Sequence, residues 1–181
     1  MASPARSASA SPVLLLLVVL AAGASAAPLT ITNRCHFTVW PAVALVLHQG
    51  GGGTELHPGA SWSLDTPVIG SQYIWGRTGC SFDRAGKGRC QTGDCGGSSL
   101  TCGGNPAVPV TMAEVSVLQG NYTYGVTSTL KGFNLPMDLT CSSGDALRCR
   151  EDGCHDAFPY VKYNDHSCTA AGSRLQIVFC P

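Results

Sequence analysis

The chain has 181 residues, of which 44% are hydrophobic and only 12% charged, and its 11 basic side chains are balanced by 11 acidic ones. With no basic stripe and no polybasic run, it offers neither nucleic acid nor an anionic membrane surface an electrostatic footprint. Ten cysteines in a chain this short point to an oxidising compartment.

Residues 1–26 read as a secretory signal peptide. Arg6 supplies the positive n-region, "PVLLLLVVLAA" an apolar run too short to cross a bilayer, and "ASA" before Ala27 the small residues of a cleavage site. Cleavage there leaves one domain, 27–181, of 155 residues (181 − 26), secreted to the extracellular space, with 10 basic against 11 acidic groups once Arg6 is gone. No later stretch approaches the roughly 20 apolar residues of a membrane helix.

In chain order, "LTITNRCHFTVWPAVALVL" carries the β-branched and aromatic residues of strands, with a break expected at Pro41. "ASWSLDTP", "QYIWGRTG", "AEVSVLQG", "NYTYGVTSTL" and "SRLQIVFC" repeat the theme, each bounded by Gly, Pro, Asn or Asp. The expected fold is all-β, a sandwich of many short strands. Residues 80–104 are too poor in large apolar groups to build a core and must be held by disulfides. The stretch from Cys141 to Cys168 is expected to form a small loop-rich lobe beside the sandwich, and "SGDALRCRED" within it one short turn of helix. "GGGGTELH" reads as a hairpin tip.

The cysteines, Cys35, Cys80, Cys90, Cys95, Cys102, Cys141, Cys149, Cys154, Cys168 and Cys180, form no C-x-x-C pair, which argues for five bridges and against a metal site. Six cysteines already allow 15 pairings, so spacing among ten leaves the connectivity open. Hydrolase, zincin, phosphate-loop and dinucleotide signatures are all missing, and no cofactor or catalytic residue is expected. Asn121 in "NYT" is the single glycosylation sequon.

"LTITNRCHFTVWPA", "WGRTGCSFDRAGKGRCQTGDCGG", "AEVSV", "GFNLPMDLTCSSGDALRC", "CHDAFPY" and the ending "IVFCP" together resemble the thaumatin-like proteins over essentially the whole mature chain. The cysteine placement is similar to the short, ten-cysteine branch of that family, which implies a disulfide-stapled β-sandwich with a reduced loop-rich lobe. By that resemblance the bridges join Cys35 to Cys180, Cys80 to Cys90, Cys95 to Cys102, Cys141 to Cys168 and Cys149 to Cys154.

Many antifungal members of the family are held to bind glucan through a cleft of one Arg, one Glu and three Asp. Matched motif by motif, Arg77, Glu114 and Asp156 stand in place, while Val126 and Lys131 occupy the other two positions. That exchange alters the cleft by about three charge units and weakens its focusing of ligands. The three retained groups then read as a structural ion-pair network.

The Ala27 start and "VALVLHQGGGGTELHPGASWSLD" resemble the xylanase-inhibiting cereal branch of the family. This implies a non-catalytic monomer that binds microbial family 11 endoxylanases and blocks their active-site cleft. The alternative, from another class, is an antifungal β-glucan-binding pathogenesis-related protein. A storage or stress protein is a third reading.

Of the five histidines, His36 reads as packing, His57 lies in a turn before Pro58, and His155 and His166 fall in the disulfide-rich region. His48 ends an apolar strand and precedes four glycines, so its ring can project from a hairpin. A retaining glycosidase holds two carboxyl groups about 5–5.5 Å apart. An imidazole with both ring nitrogens protonated can donate to them, which singles out His48 as the expected inhibitory residue.

Overall fold

The structure, a computed structural model, describes residues 28–46, 51–65, 70–97, 99–118, 121–127, 131–157, 166–168 and 172–181. Two sheets face each other. One is five-stranded: β11 (Ala146–Cys149), β10 (Met137–Cys141), β13 (Leu175–Phe179), β1 (Pro28–Asn33) and β4 (Ser61–Asp65), in that order. The other is six-stranded: β12 (His166–Cys168), β9 (Asn121–Thr127), β8 (Met112–Leu118), β5 (Gly70–Arg77), β2 (Trp40–Leu45) and β3 (Gly51–Gly53). A two-residue ribbon, β6 (Ser81–Phe82) with β7 (Gly88–Arg89), stands apart. The disulfide-stapled β-sandwich expected from the sequence is present, and no helix occurs among the described residues.

Alternation generates the core. In β8, Ala113, Val115 and Val117 point inward, and they meet Leu29 and Ile31 of β1, Leu139 of β10 and Ile177 and Phe179 of β13. β1 and β13 run parallel, Leu29 opposite Leu175 through Asn33 opposite Phe179, so the first and last strands lie side by side in the interior of one sheet. Cys35 and Cys180, just beyond those strands, are bridged there. The other bridges are Cys80–Cys90, Cys95–Cys102, Cys141–Cys168 and Cys149–Cys154.

Four local expectations are corrected. The break in the first extended run comes at residues 34–38, and Pro41 lies inside β2, paired with Gly76. Buried Asn33 makes the break: its Oδ1 accepts from Cys35 N at 2.9 Å, and its Nδ2 donates to Phe37 O at 2.9 Å and Leu56 O at 2.8 Å. His36 is therefore not strand packing; it is exposed in that bend, its ring edge-on to Phe37.

The "SGDALRCRED" stretch holds strand β11 where a helical turn was expected, because Leu147 and Cys149 are buried in alternation opposite Leu139 and Met137. The Cys141–Cys168 region also supplies the outer strands of the two sheets, β11 and β12.

The glycine run is the fourth. Gly51–Gly53 are the return strand β3, with Ala44 opposite Gly51 and Ala42 opposite Gly53, and so are not an open tip. A side chain could not stand there: a Cβ on Gly51 would collide with the carbonyl oxygens of Cys102 and Val43, and one on Gly53 would lie 2.7 Å from Arg77 Nη2. Gly51→Ala is expected to cost about 2 kcal/mol through overpacking, lowering Tm by several degrees. Gly97→Ala, with nothing within 4 Å of the added carbon, is expected to be silent in the same thermal unfolding measurement.

Candidate functional site

The six-stranded sheet has a covered and an open half on its outer face. Trp75 and Met112 are covered by Cys102 and Val110, packed together with Ala42 and Ala44. Trp75 Nε1 donates to Gly93 O at 2.7 Å, pinning the disulfide-rich segment over the sheet. Toward the other end of the strands lie Glu114 and Ser116, both half-buried, with Ser116 Oγ 2.7 Å from Ser71 Oγ.

Arg77 is 1% exposed and shares the parity of Trp75 along β5, so its guanidinium enters the covered half. Nε donates to Trp40 O at 3.1 Å, Nη1 to Ser99 O at 3.2 Å and Nη2 to Leu100 O at 2.7 Å. The cation also lies 5.3 Å from the centre of the Phe82 ring. Burial lowers its pKa to about 10, with Asp94 opposing the shift, so it remains charged at neutral pH.

Arg77 is thus a hub for backbone carbonyls that clamps the β2–β3 base to residues 99–100. It makes no ion pair with Glu114 or Asp156, and the expected ion-pair network is absent. Glu114 stands opposite Tyr73, four residues before Arg77 on β5, about 13 Å away at the usual rise per residue. Asp156 instead accepts from Arg148 N at 2.9 Å, across the base of the loop that the Cys149–Cys154 bridge closes.

Val126 is also misplaced by the motif match. It is fully buried in the core with Ala113 opposite, on the inner face, whereas Glu114 is outside and opposite Gly125. An acid at 126 would have been driven into hydrocarbon, so this position never belonged to an outward cleft. Lys131 is exposed. Among the described residues there is no cluster of three metal-ligating side chains.

Glu114 carries a pKa raised by burial, with the Ser116 hydroxyl opposing the shift. A carboxyl whose folded pKa exceeds its unfolded one contributes stability below the unfolded value, and that contribution is lost as pH rises through the folded value. Glu114→Gln should therefore raise Tm at pH 7 by about a degree or more, with little change at pH 3.5. Thermal melts of both proteins at the two pH values check this.

His48 and its neighbours 47–50 lie outside the described residues, but the strands that carry them are defined. Val43 and Ala44 are buried, Val46 is 47% exposed, and Ala44 faces Gly51 across the ladder. Residues 46–50 thus connect two strands at one margin of the six-stranded sheet. Among the other histidines, His57 sits 4.0 Å from Glu55, His155 3.7 Å from Asp156, and His166 Nδ1 2.9 Å from Asp145. The first two are open to solvent.

The Thaumatin family model matches residues 33–158. The chain belongs to the thaumatin family. A thaumatin-like protein of Oryza sativa subsp. japonica is 45% identical over 184 residues, covering 100% of both chains. Thaumatin-like pathogenesis-related protein 4 of Avena sativa is 49% identical over 178 residues, covering 96% of this chain and 98% of the relative. The solved structure of the thaumatin-like xylanase inhibitor TLXI matches with a TM-score of 0.76 and 88% identity, over 86% of this chain and 100% of that one. A protein elicitor from Magnaporthe oryzae, 13% identical, matches with a TM-score of 0.59 and shares the fold alone.

Within the thaumatin family, then, this chain is an all-β, five-disulfide member whose relatives include pathogenesis-related proteins. No helix among its described residues is long and apolar enough to cross a membrane.

Proposed function

We propose that the chain is a secreted, non-catalytic inhibitor of microbial family 11 endoxylanases that acts in plant defence. The observation that carries this reading is the 88% identity to a thaumatin-like xylanase inhibitor across the whole of that solved chain. The inhibitory element is the β2–β3 hairpin, and His48 is the residue that enters the enzyme's cleft and donates to its paired carboxylates.

The frame around that hairpin supports the assignment. β3 has no side chains, and its backbone packs against the carbonyls of Leu100 and Cys102 under the Arg77 clamp. Strands so braced lose little conformational freedom on docking, and preorganisation of this kind raises affinity. Secretion follows cleavage before Ala27, and the domain 27–181 acts as a monomer. The 155 residues of that domain are about the 86% share of the chain that the solved relative matches. Asn121, the first residue of β9, is the proposed glycosylation site.

The test is inhibition of a family 11 xylanase by the protein and by its His48→Ala variant. A β-glucan pull-down separates the reading from that of an antifungal glucan-binding protein. Retention on glucan with no effect on the xylanase favours the second.

A further inference from the structure

The β6–β7 ribbon belongs to neither sheet of the sandwich, yet it is firmly held. The Cys80–Cys90 bridge closes its base, and the Phe82 ring lies 5.3 Å from the Arg77 guanidinium. Leu100 N donates to Gly86 O at 2.7 Å, beside an isolated bridge between Lys87 and Ser99. The turn is tight: Asp83 N donates to Lys87 O at 2.8 Å and Gly86 N to Asp83 O at 2.9 Å, with Gly86 at a φ of 73°.

Arg84, Lys87 and Arg89 are exposed on this ribbon, and none forms an ion pair among the described residues. They are too scattered in the sequence to make a basic run, and the ribbon gathers them. Ser81 pairs with Arg89 and Phe82 with Gly88. Because Phe82 turns toward Arg77, Arg89 and Lys87 stand on the opposite face, about 7 Å apart along the strand. Arg84 follows at the turn.

The two acids of residues 80–104 are already engaged by backbone amides. Asp83 Oδ1 accepts from Ala85 N at 2.8 Å and Lys87 N at 2.9 Å, while the Asp94 carboxylate accepts from Cys90 N at 2.7 Å and Gly96 N at 2.8 Å. With Asp83 counted, residues 81–89 carry three cations and one acid, a net charge of +2, in a mature chain that is slightly acidic overall.

We propose that this ribbon binds an acidic polysaccharide of the polyuronate class, whose carboxylates pair with Arg84, Lys87 and Arg89. Guanidinium groups match carboxylates in bidentate pairs. A linear chain with a carboxylate on each sugar meets several cations of a narrow ribbon at once. A bilayer would find no apolar side chain to take up, because the ribbon's one aromatic ring, Phe82, is half-buried over Arg77. For the same reason single-stranded nucleic acid would find no platform on which to stack its bases. The site uses no residue of the β2–β3 hairpin and does not depend on the inhibitory reading.

Binding of the 27–181 protein to immobilised polygalacturonate, measured over a range of ionic strength, tests it. The expected result is saturable binding whose affinity falls steeply with salt. The triple variant Arg84→Gln, Lys87→Gln, Arg89→Gln should bind at least about tenfold more weakly and lose most of that salt dependence. Arg34→Gln, Arg148→Gln, Arg174→Gln removes the same charge from exposed cations elsewhere. That control should stay within about threefold of the unmodified protein, since distant surface charges are screened. Both triples should keep the parent Tm, because every replaced side chain is exposed. No binding, equal weakening in the two triples, equal binding to neutral xylan, or tighter binding to phosphatidylserine vesicles than to polygalacturonate would each overturn the proposal.

Discussion

Replacing His48 with Ala is expected to raise the inhibition constant against a family 11 xylanase by about a hundredfold or more, with the fold intact. Truncating a central residue that fills a partner's pocket costs 2 kcal/mol or more at an interface hot spot. Here it would also leave the enzyme's carboxylates without a donor in a site that has lost its water. His57→Ala is the control: that ring is 75% exposed in a turn outside the hairpin, and its loss should change inhibition less than about twofold.

The proposed His48 contact also predicts a pH dependence. Carboxylates raise the pKa of a bound imidazole, so its contribution to binding is full below the free value of about 6.5 and fades as pH rises through the bound value. Inhibition by the unmodified protein should therefore tighten between pH 7.5 and 5.5, and that slope should vanish in His48→Ala. A steep slope surviving in the variant would place the titrating group elsewhere.

The second large effect concerns stability. The Cys35–Cys180 bridge spans a sequence separation of 145, whereas Cys149–Cys154 spans 5. If cross-links act by restricting the unfolded chain, the first is worth about 5 kcal/mol and the second about 2 kcal/mol. Double Ala substitution at Cys35 and Cys180 should thus lower Tm by roughly 10–20 °C, against several degrees for the pair at Cys149 and Cys154. The native side of the argument points the same way. The first bridge locks the parallel β1–β13 ladder at the centre of its sheet, where Arg34 N donates to Phe179 O at 2.9 Å. Differential scanning calorimetry of the two variants gives the order, and equal losses would refute the entropic account.

Much of the sandwich was legible because its strands carry side chains with a period. "AEVSV" and "RLQIV" alternate, and their inward residues are core. The segments that misled are those where local composition and tertiary demand disagree. "DALRC" favours helix by residue type, but the disulfide to Cys154 and the core face of β10 impose strand geometry on it. The glycines of β3 have neither propensity nor period. Their strand is defined by the narrow space between β2 and the carbonyls of residues 100 and 102, which no one-dimensional pattern encodes.

Sites were less legible than strands for a related reason. Arg77 was read with Glu114 and Asp156 because three charged motifs stood in family positions, although parity with Trp75 would have placed it under cover. Val126 shares parity with Tyr122 and Tyr124, which line the core, and that alone excludes it from an outward cleft.

The most direct measurement of the central claim is a titration of a family 11 xylanase with the 27–181 protein, with residual activity as readout and a xylanase of unrelated fold in parallel. The account predicts that family 11 activity falls to near zero at about one inhibitor per enzyme while the other xylanase is untouched. Full family 11 activity in the presence of a large excess of the protein would contradict it.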